Sequence, residues 1–570
     1  MSETFLFTSP RPTVEIHLPD NRVISGRRGA PVGDFLKLIE TPALPPIVGA
    51  VVNGDLRELT YPITMDARVR PVTMGEADGM LIYRRSLTFL LDAAFEDLFP
   101  DEVLIIDHSV SSGGYFCRVS NPRLITQRNL NRLEKHMRAL VEADMPFVKR
   151  EAPLSEALAY FQAKGHYEKV RLLAHRQKDY LVLYRLSDHQ DYHHGYMVPS
   201  TGYLKWFHLS RTNGGFTLQF PRRHKPTELL PLPQYPKLLA TFRQYGQWLD
   251  QLGVDNVGAL NDVIQSEHIR ELILASEALH EQNVSNIAQQ ITARREPVHL
   301  VLIAGPSSSG KTTFSKRLSV QLIARGVTPF ALEMDNYFIE RDKTPLDEEG
   351  KPDFESIQAL NVSRLSEDIR RLIAGERVRL PHYDFKSGKS LAGEEVQLQR
   401  GQIIIMEGIH GLNPALSLDL PAEQAFRIYI SCLTQLNLDR HNRISTTDTR
   451  LVRRIVRDAR ERGYSAQDTI QRWESVRRGE KRYIFPFQEN ADVMFNSALV
   501  YELAVLKPLA EPLLRQVPHG SEEHIEAKRL LTLLEWFRPL DSSLIPDNSI
   551  LREFIGDSIL KNFKLWPPRA

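Results

Sequence analysis

A glycine- and serine-rich segment, GPSSSGKTT at residues 305–313, carries the strongest chemical signal in this sequence. It fits the pattern G-x-x-x-x-G-K-[ST], and an apolar run precedes it while a helical pattern follows. Glycines let backbone N–H groups point at phosphate oxygens, and the helix adds the positive end of its dipole. The segment therefore predicts a loop that binds a nucleoside triphosphate through Gly305, Pro306, Ser307, Ser308, Ser309, Gly310, Lys311, Thr312 and Thr313.

Within this loop, two side chains have chemistry of their own. Lys311 is expected to reach the β- and γ-phosphates, and the Thr312 hydroxyl is expected to bind Mg²⁺. The chain has no N-K-x-D motif of the kind that recognises guanine. We therefore expect a kinase that acts on a small molecule rather than a GTPase.

Two acidic residues follow apolar runs that read as neighbouring strands. Asp335 lies in EMDNYF, and Glu407 ends the run IIIMEG. A carboxylate at the carboxyl edge of a parallel sheet faces the crevice in which ligands bind. There it can accept a proton from an attacking hydroxyl or hold Mg²⁺. Taken alone, Asp335 could equally be a helix N-cap.

Arginines are concentrated in DTRLVRRIVRDARERG, residues 448–463. Their spacings of three and four place several on one helix face. Such a face is usually solvated. Beside a phosphate-binding loop, the alternative is a lid that closes arginines over transferring phosphates, and we expect that role here, with Arg453 and Arg457 as catalytic groups.

The surrounding pattern predicts the elements that position these residues. From residue 298, apolar strands alternate with helices, which predicts a parallel sheet flanked by helices. Residues 13–74 predict a small ubiquitin-like β-roll with an Asn-Gly hairpin turn, and residues 82–225 predict a mixed α+β unit. The fold class is therefore multidomain α/β and α+β.

Composition limits the classes of protein that this sequence can be. The 570 residues include 72 Lys and Arg against 71 Asp and Glu, which excludes a uniformly basic nucleic-acid coat. Two cysteines, Cys117 and Cys432, cannot form a disulfide framework, so a reducing cytoplasm is expected. No stretch approaches 18 apolar residues, so no membrane partner is expected.

Residues 295–500 resemble the uridine–cytidine kinase branch of the uridine kinase/phosphoribulokinase family. The resemblance rests on GPSSSGKTT, MDNYF, PDFESIQAL, LPHYDF, IIIMEGIHGL, DTRLVRRIVRD and NADVMFN, in the family's order. It implies ATP and Mg²⁺ as cofactors, with Thr312, Asp335 and Glu407 around the metal. It further implies that Asp335 is the base for a 5′-hydroxyl and that the acceptor pocket contains Glu355, Tyr383, Asp384 and Phe385.

One position departs from that family. Gly388, in YDFKSGKS, falls where the pyrimidine kinases have a base-recognising histidine. A nucleoside such as uridine or cytidine is still the expected acceptor. A sugar phosphate or another polyol stays open as the alternative.

The N-terminal half resembles threonyl-tRNA synthetase. AVVNGDLRELTYPI is similar to that enzyme's TGS domain, and residues 82–209, including VPSTGYLKWFHL, are similar to its editing domain. The four active positions of the editing domain hold other residues here: Arg85, Phe89, His193 and Met197. Phe and Met cannot act as acids or bases, so a binding or scaffolding role is expected. An RNA- or tRNA-binding protein with an ATP-driven switch is the alternative function.

These resemblances divide the chain into five parts. Residues 1–76 are expected to be TGS-like, 77–225 editing-like, 226–294 a helical connector, 295–505 the kinase-like domain and 506–570 a helical extension. The expected partners are a small phosphoacceptor and, through the N-terminal half, RNA or tRNA. Because kinases of this family often assemble as oligomers, a homo-oligomer also stays open.

Overall fold

The structure is a computed structural model, and it describes most of the chain. The described residues are 9–41, 44–110, 113–233, 235–294, 296, 298–347, 350–384, 387–416, 418 and 420–563.

The N-terminal unit is a five-stranded mixed sheet with one short helix. The sheet has the order β2-β1-β5-β3-β4, in which β1 and β5 are parallel. The predicted Asn-Gly hairpin joins β3 to β4, with Asn53 at φ 50° and Gly54 at φ 88°. The elements are β1 Thr13–His17, β2 Val23–Arg27, α1 Val32–Leu36, β3 Ile47–Val52, β4 Asp55–Arg57 and β5 Ala67–Thr73.

The second unit packs two antiparallel sheets around a long buried helix, α2. The sheets have the orders β11-β12-β7-β6 and β10-β9-β8. The elements are α2 Ala77–Leu98, β6 Leu104–Val110, β7 Gly114–Val119, α3 Gln127–Glu142, β8 Val148–Pro153, α4 Leu154–Ala163, α5 Tyr167–Ala174, β9 Tyr180–Leu186, β10 His189–Asp191, β11 His208–Thr212 and β12 Gly215–Gln219.

Three helices then lead into the third unit, and α8 packs against the helix that follows the phosphate loop. Arg317 on that helix donates to Glu281 of α8 at 2.7 Å, which fixes the two helices side by side. These helices are α6 Pro236–Leu252, α7 Val257–Gln265 and α8 Ile269–Ala293.

The third unit is built on a five-stranded sheet with the order β14-β17-β13-β18-β19. Every pair in it is parallel, so the predicted parallel sheet is confirmed. A separate hairpin, β15–β16, lies outside it. The elements are β13 Leu300–Ala304, α9 Lys311–Ile323, β14 Pro329–Glu333, α10 Val362–Ile373, β15 Arg377–Asp384, β16 Lys389–Gln397, β17 Ile403–Glu407, β18 Ala425–Ser431, α11 Thr446–Glu461, α12 Ala466–Tyr483, β19 Val493–Asn496, α13 Glu502–Leu514, α14 Glu522–Leu534 and α15 Arg552–Ile555.

Part of the second unit, from α4, α5, β8 and β9, shares a hydrophobic core with the third unit, whereas α2 packs in a separate core. The loop between β18 and α11 is almost wholly buried, and its Asn437 donates to the backbone carbonyls of Ile106 and Asp107 at 3.2 and 3.0 Å. Lys169, fully buried in the second unit, lies 2.7 Å from Asp191 and 3.7 Å from Asp439 of this loop. Because a buried charge needs such partners, this network locks the two units together.

Across the described ranges, none of the helices is both apolar enough and long enough to cross a bilayer.

Candidate active site

The phosphate loop, residues 305–313, connects β13 to α9 and has the backbone that its glycines allow. A Cβ at position 305 would collide with the carbonyl oxygen of Ile430, so only glycine fits there. Gly310, at φ 86°, is the N-cap of α9, and Ser308 is also left-handed at φ 58°. The loop therefore wraps tightly around the start of α9, as the sequence predicts.

Several polar groups of the loop are suited to an anion. The Ser308 and Ser309 hydroxyls are buried without a hydrogen-bond partner in the described part of the chain. Lys311 and Thr312 begin α9, where N–H groups have no acceptor within the helix. The Lys311 ammonium donates to the carbonyls of Gly305 and Pro306 at 3.0 and 3.1 Å. Phosphate oxygens would satisfy all of these donors, so the loop fits a nucleoside triphosphate.

Carboxylates from two neighbouring strands face this loop. Asp335 follows β14, and Glu407 ends β17, which lies between β14 and β13. Burial raises the pKa of Glu407 to about 7, while the Lys311 ammonium and the Thr312 hydroxyl act to lower it. Desolvation also raises the pKa of Asp335, although the residue is exposed at the surface. The structure thus brings Thr312, Asp335 and Glu407 around Lys311, and these oxygen ligands suit Mg²⁺.

Arginine side chains of α11 lie against the phosphate loop, but two of them are buried. Arg453 is fully buried, lies 2.5 Å from Glu502 of α13 and donates to the carbonyl of Ser497 at 2.8 Å. Arg450 forms a two-pronged ion pair with Glu480 of α12, at 2.9 and 2.6 Å. The expected lid is therefore a packed helix in this structure, because its buried guanidinium groups are neutralised by carboxylates.

The other arginines of this helix are nearer to the cleft. Arg454 donates to the Ser307 hydroxyl at 2.7 Å. Arg457 lies 3.3 Å from Asp458 and 4.0 Å from Glu553. Of the two arginines expected to be catalytic, Arg457 thus lies beside the start of α9, whereas Arg453 supports the loop from behind by contacting the Ser308 carbonyl at 3.4 Å.

The expected acceptor residues lie in two places, with Glu355 beside α12 and Tyr383 and Asp384 at the end of β15. Burial beside Glu480 raises the pKa of Glu355 to about 7, and the Arg454 guanidinium opposes this. Tyr383 is buried at the end of β15, with its ring 5.6 Å from that of Phe338. Asp384 is the last residue of β15, and Phe385 lies outside the described residues.

The structure gives a reason for the unexpected glycine at position 388. Gly388 lies in the β15–β16 turn at φ 70°, and its carbonyl accepts from the N–H of Arg341 at 2.9 Å. A Cβ there would lie 2.7 Å from the Arg341 side chain. A histidine cannot take this position without strain, so any recognition of a base must come from other residues.

Two carboxylates at the phosphate loop were not foreseen from the sequence, Glu480 of α12, which accepts from the Ser307 N–H at 2.9 Å, and Glu553 of α15. The Glu553 carboxylate accepts from the Thr313 N–H at 3.1 Å, in the first turn of α9. It lies 240 positions beyond Thr313, so no local pattern could have indicated it. Ile550 of the same segment packs against Gly310. The protein's own carboxylate therefore occupies a position where an anion is favoured.

The four positions that correspond to the synthetase editing centre also come together. The rings of Phe89 and His193 meet edge to face at 5.3 Å. Arg85 donates to the carbonyl of Tyr196 at 2.6 Å. Met197, the next residue after Tyr196, is buried. The four positions thus lie close together and carry a guanidinium, a phenyl ring, an imidazole and a thioether.

Comparison with known proteins gives two separate matches. Residues 300–504 match the model of the Phosphoribulokinase / Uridine kinase family. The Threonine--tRNA ligase of Polaromonas naphthalenivorans (strain CJ2) is 32% identical over 204 residues, which are 36% of this chain and 32% of the ligase. This chain therefore spans about a third of the length of that relative. Both resemblances expected from the sequence are confirmed for these segments.

Two solved structures also align with about a third of the chain. "Structure of a Possible Uridine Kinase from Bacillus stearothermophilus" covers 36% of this chain and all of its own, with 20% identity and a TM-score of 0.22. A D-glycerate 3-kinase from Cryptococcus neoformans covers 37% of this chain and 89% of its own, with 13% identity and a TM-score of 0.28.

The Glu553 contact generates a first prediction. The Glu553→Gln variant should bind ATP about fivefold more tightly. The interaction of an acidic group with a helix N-terminus contributes about 1 kcal/mol, and the Glu553 carboxylate competes with a phosphate for that position. Isothermal titration calorimetry of ATP measures the effect, and Glu423→Gln, an exposed position, is the control. Weaker ATP binding by Glu553→Gln would instead place this carboxylate on the side of the bound nucleotide.

The buried ion pair of α11 generates a second prediction. Arg453→Met should lower the free energy of unfolding by about 3–5 kcal/mol, because Glu502 keeps a buried charge with no counter-ion. Chemical denaturation measures the loss, and Arg462→Met, half exposed on the same segment, should cost little. Adding Glu502→Leu should restore part of the stability. Full stability with loss of turnover alone would show that Arg453 acts on phosphate and not on the fold.

Proposed function

Because residues 300–504 match the Phosphoribulokinase / Uridine kinase family, we propose that this protein is an ATP-dependent phosphotransferase acting on a small hydroxyl acceptor. The observation that carries the proposal is the cluster of Lys311, Thr312, Asp335 and Glu407 at the start of α9. It combines an anion-binding loop with carboxylates on the carboxyl edge of one parallel sheet.

The phosphate loop would hold the triphosphate of ATP, and Lys311 would neutralise charge on the phosphates. Thr312, Asp335 and Glu407 would hold Mg²⁺, which neutralises phosphate charge when it is bound. Asp335, exposed at the surface, would accept the proton of the attacking hydroxyl. Arg454 and Arg457 lie near enough to the loop to stabilise charge that develops during transfer.

A nucleoside is the acceptor that we propose first, with transfer to the 5′-hydroxyl as in uridine or cytidine. Glu355, Tyr383, Asp384 and Phe385 are the proposed acceptor residues, on the resemblance of their motifs. Glu355 supports this because its partly enclosed carboxyl group lies beside α12 and within electrostatic reach of Arg454 and Lys311, where it could accept hydrogen bonds from sugar hydroxyls.

A sugar phosphate or another polyol is the second candidate acceptor. The observation that favours it is Gly388, whose turn geometry leaves no side chain for contacting a base. The two candidates differ in charge, so a panel of acceptors distinguishes them.

The proposed activity is tested by phosphoryl transfer from labelled ATP to a panel of nucleosides, ribulose 5-phosphate and related sugars. Turnover of one acceptor should fall at least about 100-fold in Lys311→Ala and in Asp335→Asn, because each removes charge or base from the transferring centre. Lys343→Ala and Asp342→Asn, both exposed, are the matched controls and should keep full activity.

The outcome of the panel also separates the remaining functions. Turnover of uridine or cytidine would establish the nucleoside kinase, and turnover of sugar phosphates alone would establish the second candidate. Failure on every small acceptor, together with ATP hydrolysis that tRNA stimulates, would overturn both in favour of an RNA-linked switch.

The raised pKa of Glu355 generates a prediction of pH dependence. With a pKa of about 7, Glu355 is mostly protonated at pH 6 and mostly ionised at pH 8. Since the ionised form accepts hydrogen bonds from hydroxyls more strongly, kcat/KM for the acceptor should rise about tenfold over this range. Because the pKa of Glu407 is also about 7, Glu355→Gln should reduce the rise rather than abolish it, whereas the exposed Glu367→Gln should leave it unchanged. An unchanged profile in Glu355→Gln would assign the titration to another group.

A further inference from the structure

A large cavity lies where the N-terminal sheet, the second unit and helix α14 meet. Its volume is about 870 Å³, within the range of small-molecule sites. Its walls come from β4 and the turn after it, from α2, from β8, β9 and residues 192–196, and from residues 525–536. No residue of the phosphate loop lines it, so it is separate from the candidate active site.

More cations than carboxylates line the cavity, and two of the cations have no ion-pair partner in the described structure. Ion pairs join Lys149 to Glu58 at 3.0 Å, Lys178 to Glu535 at 2.8 Å and Lys528 to Asp55 at 2.7 Å. In contrast, Arg85 and Arg176 have no carboxylate within ion-pair distance among the described residues. Seven cationic side chains line the cavity against five carboxylates, and one of the seven, Arg529, is paired with Asp448 and Glu526 outside the lining at 2.8 and 2.7 Å. The cations are Arg57, Arg85, Lys149, Arg176, Lys178, Lys528 and Arg529.

Arg85 is one of the enclosed cations of this cavity. Its guanidinium packs over Gly195, where any side chain would collide with it, and donates to the Tyr196 carbonyl at 2.6 Å. A guanidinium has five N–H donors and stays charged, so an enclosed one with a single acceptor favours an anion beside it.

Two histidines add neutral polar groups to the same wall. His193 is 6% exposed, and its Nε2 has no hydrogen-bond partner in the described structure. Burial lowers the pKa of His193 to about 3, so the imidazole is neutral at pH 7 and can bond a hydroxyl or a ring nitrogen. The neighbouring His194 accepts from the Trp536 indole N–H at 3.3 Å, which leaves His193 as the unsatisfied group.

Flat aromatic faces complete the lining. Tyr61 and Tyr180 are each 38% exposed, although such rings are usually more buried. Arg176 lies over the Trp536 ring, 4.8 Å from its centre. Aromatic rings and arginine planes of this kind stack on nucleobases.

We propose that this cavity is a second ligand site, which binds a mononucleotide. Arg85 and Arg176 provide the positive charge for its phosphate, the exposed rings provide faces for its base, and His193 bonds a polar group of the ligand. Helix α14 of the same chain closes one wall, so the space is bounded as for a free small molecule rather than for the end of a long nucleic acid.

The test is direct binding, because it does not depend on the proposed kinase activity. Calorimetry of the full chain with UMP, CMP, AMP and GMP should find at least one ligand that binds to Lys311→Ala as well as to the unmodified protein. Arg85→Gln and Arg176→Gln should each weaken that binding about 10- to 100-fold, the cost of a lost hydrogen bond to a charged group. Arg132→Gln, exposed on α3, is the matched control and should bind normally.

Further arms define the ligand and guard against misfolding. The nucleoside without its phosphate and inorganic phosphate alone should both bind more weakly than the mononucleotide. Thermal unfolding shows whether a variant is folded. If Arg85→Gln does not fold, Arg176→Gln carries the test, because Arg176 is less enclosed than Arg85. The proposal is overturned if no mononucleotide binds, if Lys311→Ala abolishes binding, if folded Arg176→Gln binds normally, or if only tRNA binds.

Discussion

The ion pairs of helix α11 are the interaction on which the arrangement of the third unit depends. Arg450 and Arg453 are buried, and a buried guanidinium is tolerated only beside a carboxylate. Their partners, Glu480 and Glu502, lie on α12 and α13, so satisfying the charges also fixes where those helices pack. At the first turn of the same helix, Asp448 accepts two hydrogen bonds from Arg529 of α14, each 2.8 Å long.

The same ion pairs shape the phosphate loop from behind. Glu480, held by Arg450, accepts from the Ser307 N–H at 2.9 Å, and Arg453 contacts the Ser308 carbonyl. The left-handed backbone of Ser308 is therefore supported by buried charged groups that contact the loop from behind. A loop fixed in this way needs little rearrangement when a nucleotide binds, which is the condition under which oriented dipoles stabilise charge effectively.

Part of the fold and of the candidate site could be predicted from residue spacing in the sequence. The phosphate loop, the parallel sheet and the positions of Asp335 and Glu407 at strand ends follow from short patterns, because each depends on neighbours in the chain. Glu502 and Glu553 could not be found in this way, since each meets its partner only through the tertiary fold. For the same reason the spacing of α11 could not separate Arg453, which is buried, from Arg457, which lies nearer the cleft.

Helix α11 also joins the two candidate sites. Arg529 lines the cavity of the N-terminal half and holds Asp448 at the start of α11, while Arg454 of that helix holds Ser307 of the phosphate loop. An anion in the cavity would compete with Asp448 for the guanidinium of Arg529. Asp448 lies in the first turn of α11, where an acidic side chain stabilises the helix. If a ligand in the cavity changes the affinity of the phosphate loop for its ligand through α11, then binding at the loop changes the affinity of the cavity by the same factor, because binding linkage is reciprocal. The C-terminal helices thus give the synthetase-like half a physical route to the kinase-like half.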